Sequence, residues 1–145
     1  MQLNATYVFD APVARVWDLL MDIGAVASCL PGCQGLKPLG DDRYEAELAV
    51  AVAAISGNFK GTVSLLDKVP PHSYTLLIEG SGRPGFLKGQ AAVTLIPDGE
   101  AKTSVQIAAR GEAGGMLARV GQRLLEGVGR MSMDRFFGCL AQRIG

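Results

Sequence analysis

The sequence predicts an α+β domain in which a curved antiparallel sheet holds a long final helix. Two observations carry this prediction. After a first strand, the chain reads as two short helices, then five or six strands in series, then the helix. Only short turns separate those strands, and strands without helices between them form an antiparallel meander. The 145 residues contain no repeat, low-complexity stretch or linker, so we expect a single domain over residues 1–145.

The N-terminal part is predicted to form one strand and two helices. Apolar and polar residues alternate over residues 2–9, which predicts a half-buried strand. Pro12 suits the first turn of the next helix, with one of the two preceding residues as its cap, because its missing N–H costs nothing there. Apolar residues then recur at helical spacing until Gly24, and a second short helix is predicted over residues 25–30.

The middle of the chain has a period of two, which is typical of strands. Turn signals interrupt it at Gly57-Asn58, at residues 70–73 and at residues 97–99. The predicted strands are residues 43–55, 58–69, 74–80, 89–96 and 103–110. One side of each strand is apolar, so we expect one face of the sheet to be covered.

The chain is predicted to end in one helix over residues 115–144. Its apolar stripe consists of Leu117, Val120, Leu124, Val128 and Met131, extended by Phe137, Leu140 and Ile144. Four glycines lie inside this helix, and each costs about 1 kcal/mol relative to alanine. They are Gly121, Gly127, Gly129 and Gly138. Tertiary packing must therefore hold the helix, and the glycines either allow close contact with the sheet or shape a groove beside a ligand.

Composition excludes several classes of protein. Lys+Arg and Asp+Glu number 14 each, so the basic excess of a nucleic-acid binder is missing. No apolar run approaches the roughly 18 residues of a membrane span. The first residues have neither a basic segment nor a long apolar segment, so we expect no signal peptide and a cytoplasmic protein.

The cysteines are expected to be reduced, because their number is odd and no export signal is present. Cys29 and Cys33 are four residues apart, a spacing that zinc ligands can have. A structural zinc site needs a second pair of ligands, and His72, the only histidine, lies far away in a proline-rich turn. We therefore predict no metal site, and we interpret these two cysteines as small buried thiols.

No catalytic residues are predicted. Residues 80–85 have the pattern G-x-G-x-x-G after a strand, but a dinucleotide site needs a helix to follow, and here another strand follows. His72 would have to serve any Ser-His or Cys-His pair, and its turn is expected to be exposed. Glu45, Glu47 and Glu79 lie on the less apolar sides of their strands, so we expect them to face water rather than to act as an acid and a base.

The predicted functional feature is an apolar cavity between the sheet and the final helix. Alanine and glycine are heavily interleaved with the apolar residues of the strands. Protein interiors are close-packed, so a persistent apolar void usually holds a ligand. The predicted lining is Phe59, Val63, Leu76, Ile78, Phe86, Val105, Ile107, Leu117, Val120, Leu124 and Val128.

A second predicted feature is a row of arginines on the final helix. Residues 115–145 carry five arginines against Glu126 and Asp134, so this segment is positive while the rest of the chain is negative. Arg119, Arg123 and Arg130 have spacings of four and seven and should share one helical face. They form either a solvated face with Glu126–Arg130 pairing, or a docking surface for an acidic redox partner or anionic lipid headgroups.

Several motifs resemble a known family. Residues 9–12, followed by Val16-Trp17, Leu20 and Asp22, resemble the opening of the START/polyketide-cyclase superfamily, also called SRPBCC. A narrower branch, the carbon monoxide dehydrogenase CoxG family, is similar over almost the whole chain. The segments that carry this likeness are residues 30–33, 59–61 with Asp67, 70–74, 85–89 and 117–124.

The resemblance implies a helix-grip fold with a deep hydrophobic cavity. It also implies an accessory role for a molybdenum hydroxylase of the carbon monoxide dehydrogenase type, with a lipid quinone as ligand and a link to the membrane. It implies no catalytic set and no tightly bound cofactor. Many family members have a C-terminal extension for membrane attachment. This sequence ends at Gly145, so we expect any contact with the inner face of the membrane to be peripheral, through a surface or a partner.

Two functions remain open at this stage. The first is a non-catalytic module that binds an apolar ligand for a redox enzyme. The second is a small enzyme of the cyclase or dehydratase type that uses the same cavity. An unbroken apolar lining would favour the first, and a polar cluster inside the cavity would favour the second.

Overall fold

A computed structural model describes residues 1–51 and 55–144. The first strand is followed by two short helices, six further strands, a short 3-10 turn and a long helix. The strands are β1 (Gln2–Phe9), β2 (Cys33–Gly40), β3 (Arg43–Val50), β4 (Gly57–Val69), β5 (Ser73–Gly82), β6 (Gly85–Asp98) and β7 (Lys102–Gly114). The helices are α1 (Val13–Met21), α2 (Ile23–Cys29) and α3 (Gln122–Ile144), and the 3-10 turn is Gly115–Arg119.

The strands form one antiparallel sheet in the order β1-β7-β6-β5-β4-β3-β2. This confirms the predicted fold, an antiparallel sheet with two short helices after its first strand and a long C-terminal helix. Strand β2 was not predicted. Its pairing with β3 shifts register twice, at Cys33/Gly35 and at Pro38/Gly40, so its residues lack a regular alternation. The end of the predicted strand 43–55 falls partly on residues 52–54, outside the described residues.

The boundaries of the first two helices differ slightly from the prediction. Pro12 is itself the N-cap of α1, with extended backbone angles, instead of lying in the first turn. The break between α1 and α2 occurs at Asp22, and Gly24 lies inside α2. The side chain of Asp22 causes the restart, because its Oδ1 accepts a hydrogen bond from the Ala25 N–H at 3.2 Å.

The predicted helix over residues 115–144 is wrong at its start. Gly121 has φ +101°, in the left-handed region that a helix interior does not use. The chain therefore forms a 3-10 turn before Gly121 and begins α3 after it, leaving a helix of 23 residues. The apolar stripe is also not continuous. At 100° per residue, Leu124, Val128 and Met131 lie about 120° to 180° around α3 from the buried Leu140.

The inner face of the sheet is sealed at only one end. There, α1, α2 and the C-terminal half of α3 cover it, and the ring of Phe137 stacks on Tyr7 at 4.4 Å between centroids. On the opposite side of this core, Trp17 meets Tyr74 edge to face at 5.5 Å. The most deeply buried members of the core are Phe9, Val16, Val105, Leu95 and Leu140.

The cysteines differ from the prediction. Cys29 of α2 and Cys139 of α3 form a disulfide, with 5.4 Å between their Cα atoms and a sequence separation of 110. Only Cys33 is a free thiol, and it is half-buried. The expectation of reduced thiols was based on the odd number of cysteines and the lack of an export signal, whereas this pair is created by the packing of α2 against the end of α3.

The helix glycines have different surroundings. A Cβ at Gly129 would lie 2.7 Å from Leu3 Cδ1, which confirms close helix–sheet contact at that position. A Cβ at Gly127 or Gly138 would meet no atom within 4 Å beyond the nearby helix backbone, so neither interpretation of the helix glycines accounts for these two.

Candidate functional site: an apolar floor on the sheet

Beyond the sealed core, the inner face of the sheet continues as an apolar surface. Successive strand residues point to opposite faces, so the positions that share a face with Val105 and Ile107 can be followed across the paired strands. We call this surface the apolar floor. It consists of Tyr44, Ala46, Leu48, Phe59, Gly61, Val63, Ile78, Gly80, Leu87, Gly89, Gly111 and Ala113.

The floor contains no charged residue. Among its members, only Tyr44 carries a polar side-chain atom. The charged residues of the same strands lie at the alternate positions, on the other face, where Lys60 and Glu45 form an ion pair of 3.2 Å. Those that lie beside the floor are Arg43, Glu45, Glu47, Lys60, Glu79, Lys88, Arg110 and Glu112. The three glutamates considered as acids or bases are therefore all on the face opposite the floor.

The floor is only partly covered. Val105 in the core is 0% exposed, whereas Ile78 on the floor is 37% exposed. The glycines of the floor contribute to its shape in two ways. A Cβ at Gly80 would have only the Lys60 carbonyl oxygen near it, at 3.9 Å, so the space above Gly80 is open. A Cβ at Gly61 would collide with the Glu79 carbonyl oxygen, so glycine there permits close approach of β4 and β5.

The structure distributes the predicted cavity residues over several places. Phe59, Val63 and Ile78 lie on the floor, and Leu76 lies at its border with the core. Val105 and Ile107 are buried in the sealed core. Leu87 was missed, although the alternation of β6 in the sequence contains the signal for it.

Phe86 was assigned to the cavity, but its position in β6 puts it on the opposite face. It pairs with Gly114, and its ring occupies the space that a side chain at Gly114 would need. Phe86 and Leu87 fall between the predicted strands 74–80 and 89–96. Without a strand, no alternation was available to distinguish the two faces.

The remaining predicted lining residues lie where the chain leaves the sheet. Leu117 is buried in the 3-10 turn, and its N–H donates to the Pro84 carbonyl oxygen at 2.8 Å. This bond holds the turn against the loop between β5 and β6. Val120 is half-buried just before α3, Leu124 is 38% exposed, and Val128 is half-buried.

The three arginines do not share a helical face. Arg119 lies in the 3-10 turn and Arg123 in the first turn of α3, on either side of the break at Gly121, and both are exposed. Arg130 donates from both Nη atoms to the Asn4 carbonyl oxygen, each at 3.3 Å, instead of pairing with Glu126. The prediction assumed an unbroken helix, which the structure does not contain.

A concave region with a volume of about 650 Å³ lies at the β1 edge of the sheet, apart from the floor. Most of its lining is polar: Asn4, Thr6, Thr94, Gln106, Arg130 and Asp134. Here Tyr7 Oη donates to Asp134 Oδ1 at 2.6 Å. Partial burial and this bond raise the pKa of Tyr7 to about 12, so the phenol is protonated at neutral pH. Its polar lining makes this region unsuited to an apolar ligand.

The described ranges 1–51 and 55–144 contain neither a cluster of metal ligands nor a helix able to cross a membrane. No group of three His, Cys, Asp or Glu side chains there is arranged to hold a metal ion. None of the helices in these ranges combines the length and the hydropathy needed to span a bilayer.

The sheet, the long C-terminal helix and the apolar floor together define a START-like, helix-grip domain. The chain belongs to the CoxG family of carbon monoxide dehydrogenase subunits, whose sequence profile matches residues 8–145.

Comparison with solved structures agrees with this assignment. A conserved protein from Geobacillus kaustophilus is 32% identical, with a TM-score of 0.96 over 99% of this chain and 95% of that one. A START superfamily protein from Mycobacterium smegmatis is 13% identical, with a TM-score of 0.74 over 98% and 95% of the two chains. The Zhui aromatase/cyclase from Streptomyces sp. R1128 is 15% identical, with a TM-score of 0.66 over 99% and 92%. None of the curated proteins compared is similar in sequence.

Proposed function

We propose that this protein binds an apolar ligand, a lipid quinone, over the apolar floor and serves a carbon monoxide dehydrogenase-type molybdenum hydroxylase. The observation that carries the proposal is the uncharged, partly exposed inner face of β3 to β7. Membership of the CoxG family of carbon monoxide dehydrogenase subunits supports the choice of enzyme. The proposed service to the enzyme can take three forms: maturation, membrane recruitment or electron transfer to quinone.

The chemistry of the floor suits an isoprenoid chain. Covering apolar surface contributes about 25 cal/mol per Å² removed from water. Large contiguous apolar surfaces on soluble domains usually mark binding sites. The hydroxyl of Tyr44 is the one polar group of the floor and could hydrogen-bond a quinone oxygen, which would orient the ring while the tail follows the apolar residues.

The same arrangement favours binding over catalysis. A cyclase or dehydratase needs an acid or base beside the substrate. The carboxylates of the central strands lie on the other face of the sheet, and Tyr44 alone is a weak candidate for proton transfer. We therefore propose a non-catalytic protein without a tightly bound cofactor, and the cyclase-type enzyme is the alternative that the experiments below can detect.

Native mass spectrometry of the purified protein tests the proposal directly. We expect a bound lipid quinone in wild type and its loss from Gly80→Trp, because the open space above Gly80 would be filled by the indole. Ser81→Trp is the matched control, because Ser81 is the next residue and lies on the other face. Equal quinone occupancy in both variants would place the ligand elsewhere.

A substitution at His72 tests the non-catalytic assignment. His72 is exposed in the turn between β4 and β5. We expect His72→Ala to support carbon monoxide-dependent growth as well as wild type, because the proposed role needs no imidazole. Loss of growth with unchanged folding and quinone content would favour the enzyme alternative.

We also propose that Arg119 and Arg123 form a peripheral docking surface for anionic lipid headgroups at the inner face of the membrane. Both are exposed next to the 3-10 turn, where Met116 is 60% exposed. Each arginine near an anionic surface contributes about 1 kcal/mol. The pair Arg119→Gln and Arg123→Gln should therefore weaken binding to phosphatidylglycerol vesicles about 30-fold at low salt. Arg143→Gln is the control, and an equal loss there would indicate a general charge effect.

A further inference from the structure

The two edges of the sheet differ in how they are protected against pairing. Edge strands expose unpaired backbone groups, and proteins usually protect them with prolines, lysines or bulges. Strand β2 has all three, with Lys37, Pro38 and two register shifts. Strand β1 pairs with β7 in one continuous register over all of Gln2–Phe9 and contains neither proline nor a charged residue.

The backbone groups on the free side of β1 can be identified from its pairing with β7. Met1 and Gly111 exchange both hydrogen bonds, so the odd residues of β1 point toward β7. The N–H and C=O groups of the even residues therefore point outward. They belong to Gln2, Asn4, Thr6 and Val8. Within the described part of the chain, only the Asn4 carbonyl among these groups has a partner, namely Arg130.

Helix α3 lies beside this edge and runs in the same direction as β1. The successive contacts are Gly129 with Leu3, Arg130 with Asn4, Asp134 with Tyr7 and Phe137 with Phe9. A cationic side chain thus stands near Asn4, and an anionic one stands near Tyr7. The two charges lie on either side of Ala5 along the edge. A two-fold axis near Ala5 would therefore place the positive charge of one copy beside the negative charge of the other.

We propose that the free edge of β1 binds a second copy of this chain by antiparallel strand pairing about Ala5. This register pairs Gln2 with Val8 of the second copy and Asn4 with Thr6, so every outward-facing residue of β1 obtains a partner. The smallest side chain of the strand, Ala5, then faces its own copy at the axis. Arg130 leaves the Asn4 carbonyl and pairs with Asp134 of the second copy, and the reverse pair forms on the other side.

The exposed glycines of α3 support the same arrangement independently. Gly127 and Gly138 face open space, and glycine is a poor choice at a solvated helix position. At 100° per residue, they fall with Arg130 and Asp134 within about 80° of the helix circumference. A two-fold axis that sets Arg130 against Asp134 of the second copy also brings Gly127 beside Gly138. Two antiparallel helices could approach closely there, because no side chain separates them.

The proposed dimer is independent of the proposed ligand. Strand β1 contributes no residue to the floor, and its free edge is directed away from β7 and the other floor strands, so pairing leaves the floors of both copies open. The contact area of one strand and one helix face is below that of a standard interface, so the dimer should be weak and reversible. Sedimentation velocity over a range of concentrations is the suitable measurement.

Proline substitution tests the strand pairing. Wild type should show a concentration-dependent dimer, and Thr6→Pro should raise its dissociation constant about tenfold or more, because an outward N–H is lost. Gln34→Pro at the exposed β2 edge is the matched control and should leave the dimer unchanged. Circular dichroism establishes that both variants fold. A wild type that stays monomeric at about 1 mM overturns the proposal and leaves this edge to a different occupant.

Charge reversal and glycine replacement test the geometry. Arg130→Asp should weaken the dimer about tenfold, because it places two carboxylates opposite each other across the axis. The double variant Arg130→Asp with Asp134→Arg should restore the dimer, because it exchanges the two charges and keeps an opposite pair across the axis. Gly127→Gln should weaken the dimer while raising the melting temperature of the monomer, since glutamine is the better helix former. A dimer that none of these variants affects lies on another surface and also overturns the proposal.

Discussion

Ile78→Asp is expected to lower the affinity for a lipid quinone at least about 100-fold while leaving the protein folded. The substitution places a carboxylate in the centre of the apolar floor, and a bound ligand would have to cover that charge. A cost of about 2.7 kcal/mol corresponds to this factor. Ile78 is already 37% exposed without ligand, so the free protein tolerates the carboxylate because water can solvate it.

Leu77→Asp is the matched control for this experiment. Leu77 is the neighbouring residue, is also 37% exposed, and lies on the other face of β5. Quinone titration followed by intrinsic Trp17 fluorescence or by calorimetry should give wild-type affinity for Leu77→Asp. If both variants bind as wild type does, the apolar floor is not the ligand site. If both lose binding, the cause is a general effect on the sheet.

Cys139→Ala is expected to lower the free energy of unfolding by about 4 kcal/mol under non-reducing conditions. The Cys29–Cys139 disulfide joins residues 110 apart, and cross-links that close long loops restrict the unfolded chain most. Wild type in excess reductant should unfold at nearly the same denaturant concentration as the variant. Chemical denaturation monitored by circular dichroism measures both.

Cys33→Ala provides the control, because Cys33 is the free thiol and is only half-buried. Its effect should remain below about 1 kcal/mol. A thiol titration of the native protein should find one reactive group per chain and not three. Three free thiols, together with a small effect of Cys139→Ala, would show that α2 and α3 are held together by packing alone.

These two experiments address the two ends of the same sheet. The disulfide belongs to the sealed end, where Cys29 lies in the same buried core as Phe9 and Val105. Ile78 belongs to the open end, where the floor is partly exposed. We therefore expect Cys139→Ala to change stability with little effect on affinity, and Ile78→Asp to change affinity with little effect on stability.

Local periodicity predicted much of the fold. The strands that alternate regularly, such as β7 (Lys102–Gly114), were identified because successive side chains point to opposite faces of the sheet, so apolar and polar residues alternate in the sequence. Strand β2 was not predicted because its bulges interrupt that alternation. The hairpin between β5 and β6 was predicted, but its strands were predicted too short around Phe86 because the glycines of residues 80–85 resemble a longer turn, although β5 continues to Gly82 and β6 begins at Gly85.

The candidate site was predicted in part for the same reason. Phe59, Val63 and Ile78 were chosen from strand alternation, and they share the floor. The helix residues were chosen as one apolar stripe, which requires an unbroken helix. The positive φ of Gly121 interrupts the helix, so these residues do not form one stripe. Arg119 and Arg130 were separated by the same break, so their common face disappeared with it.

The sequence by itself determined the order of most elements, the antiparallel class of the sheet, the position of its charges on one face and the family. Each of these depends on residues close together in the chain, whose spacing decides which face they share. Only the tertiary structure decided that Cys29 meets Cys139, that Arg130 binds Asn4, and that one half of the inner face is sealed while the other is open. These features depend on contacts between segments more than a hundred residues apart, which are set by how α2, α3 and β1 pack, and no local pattern records them.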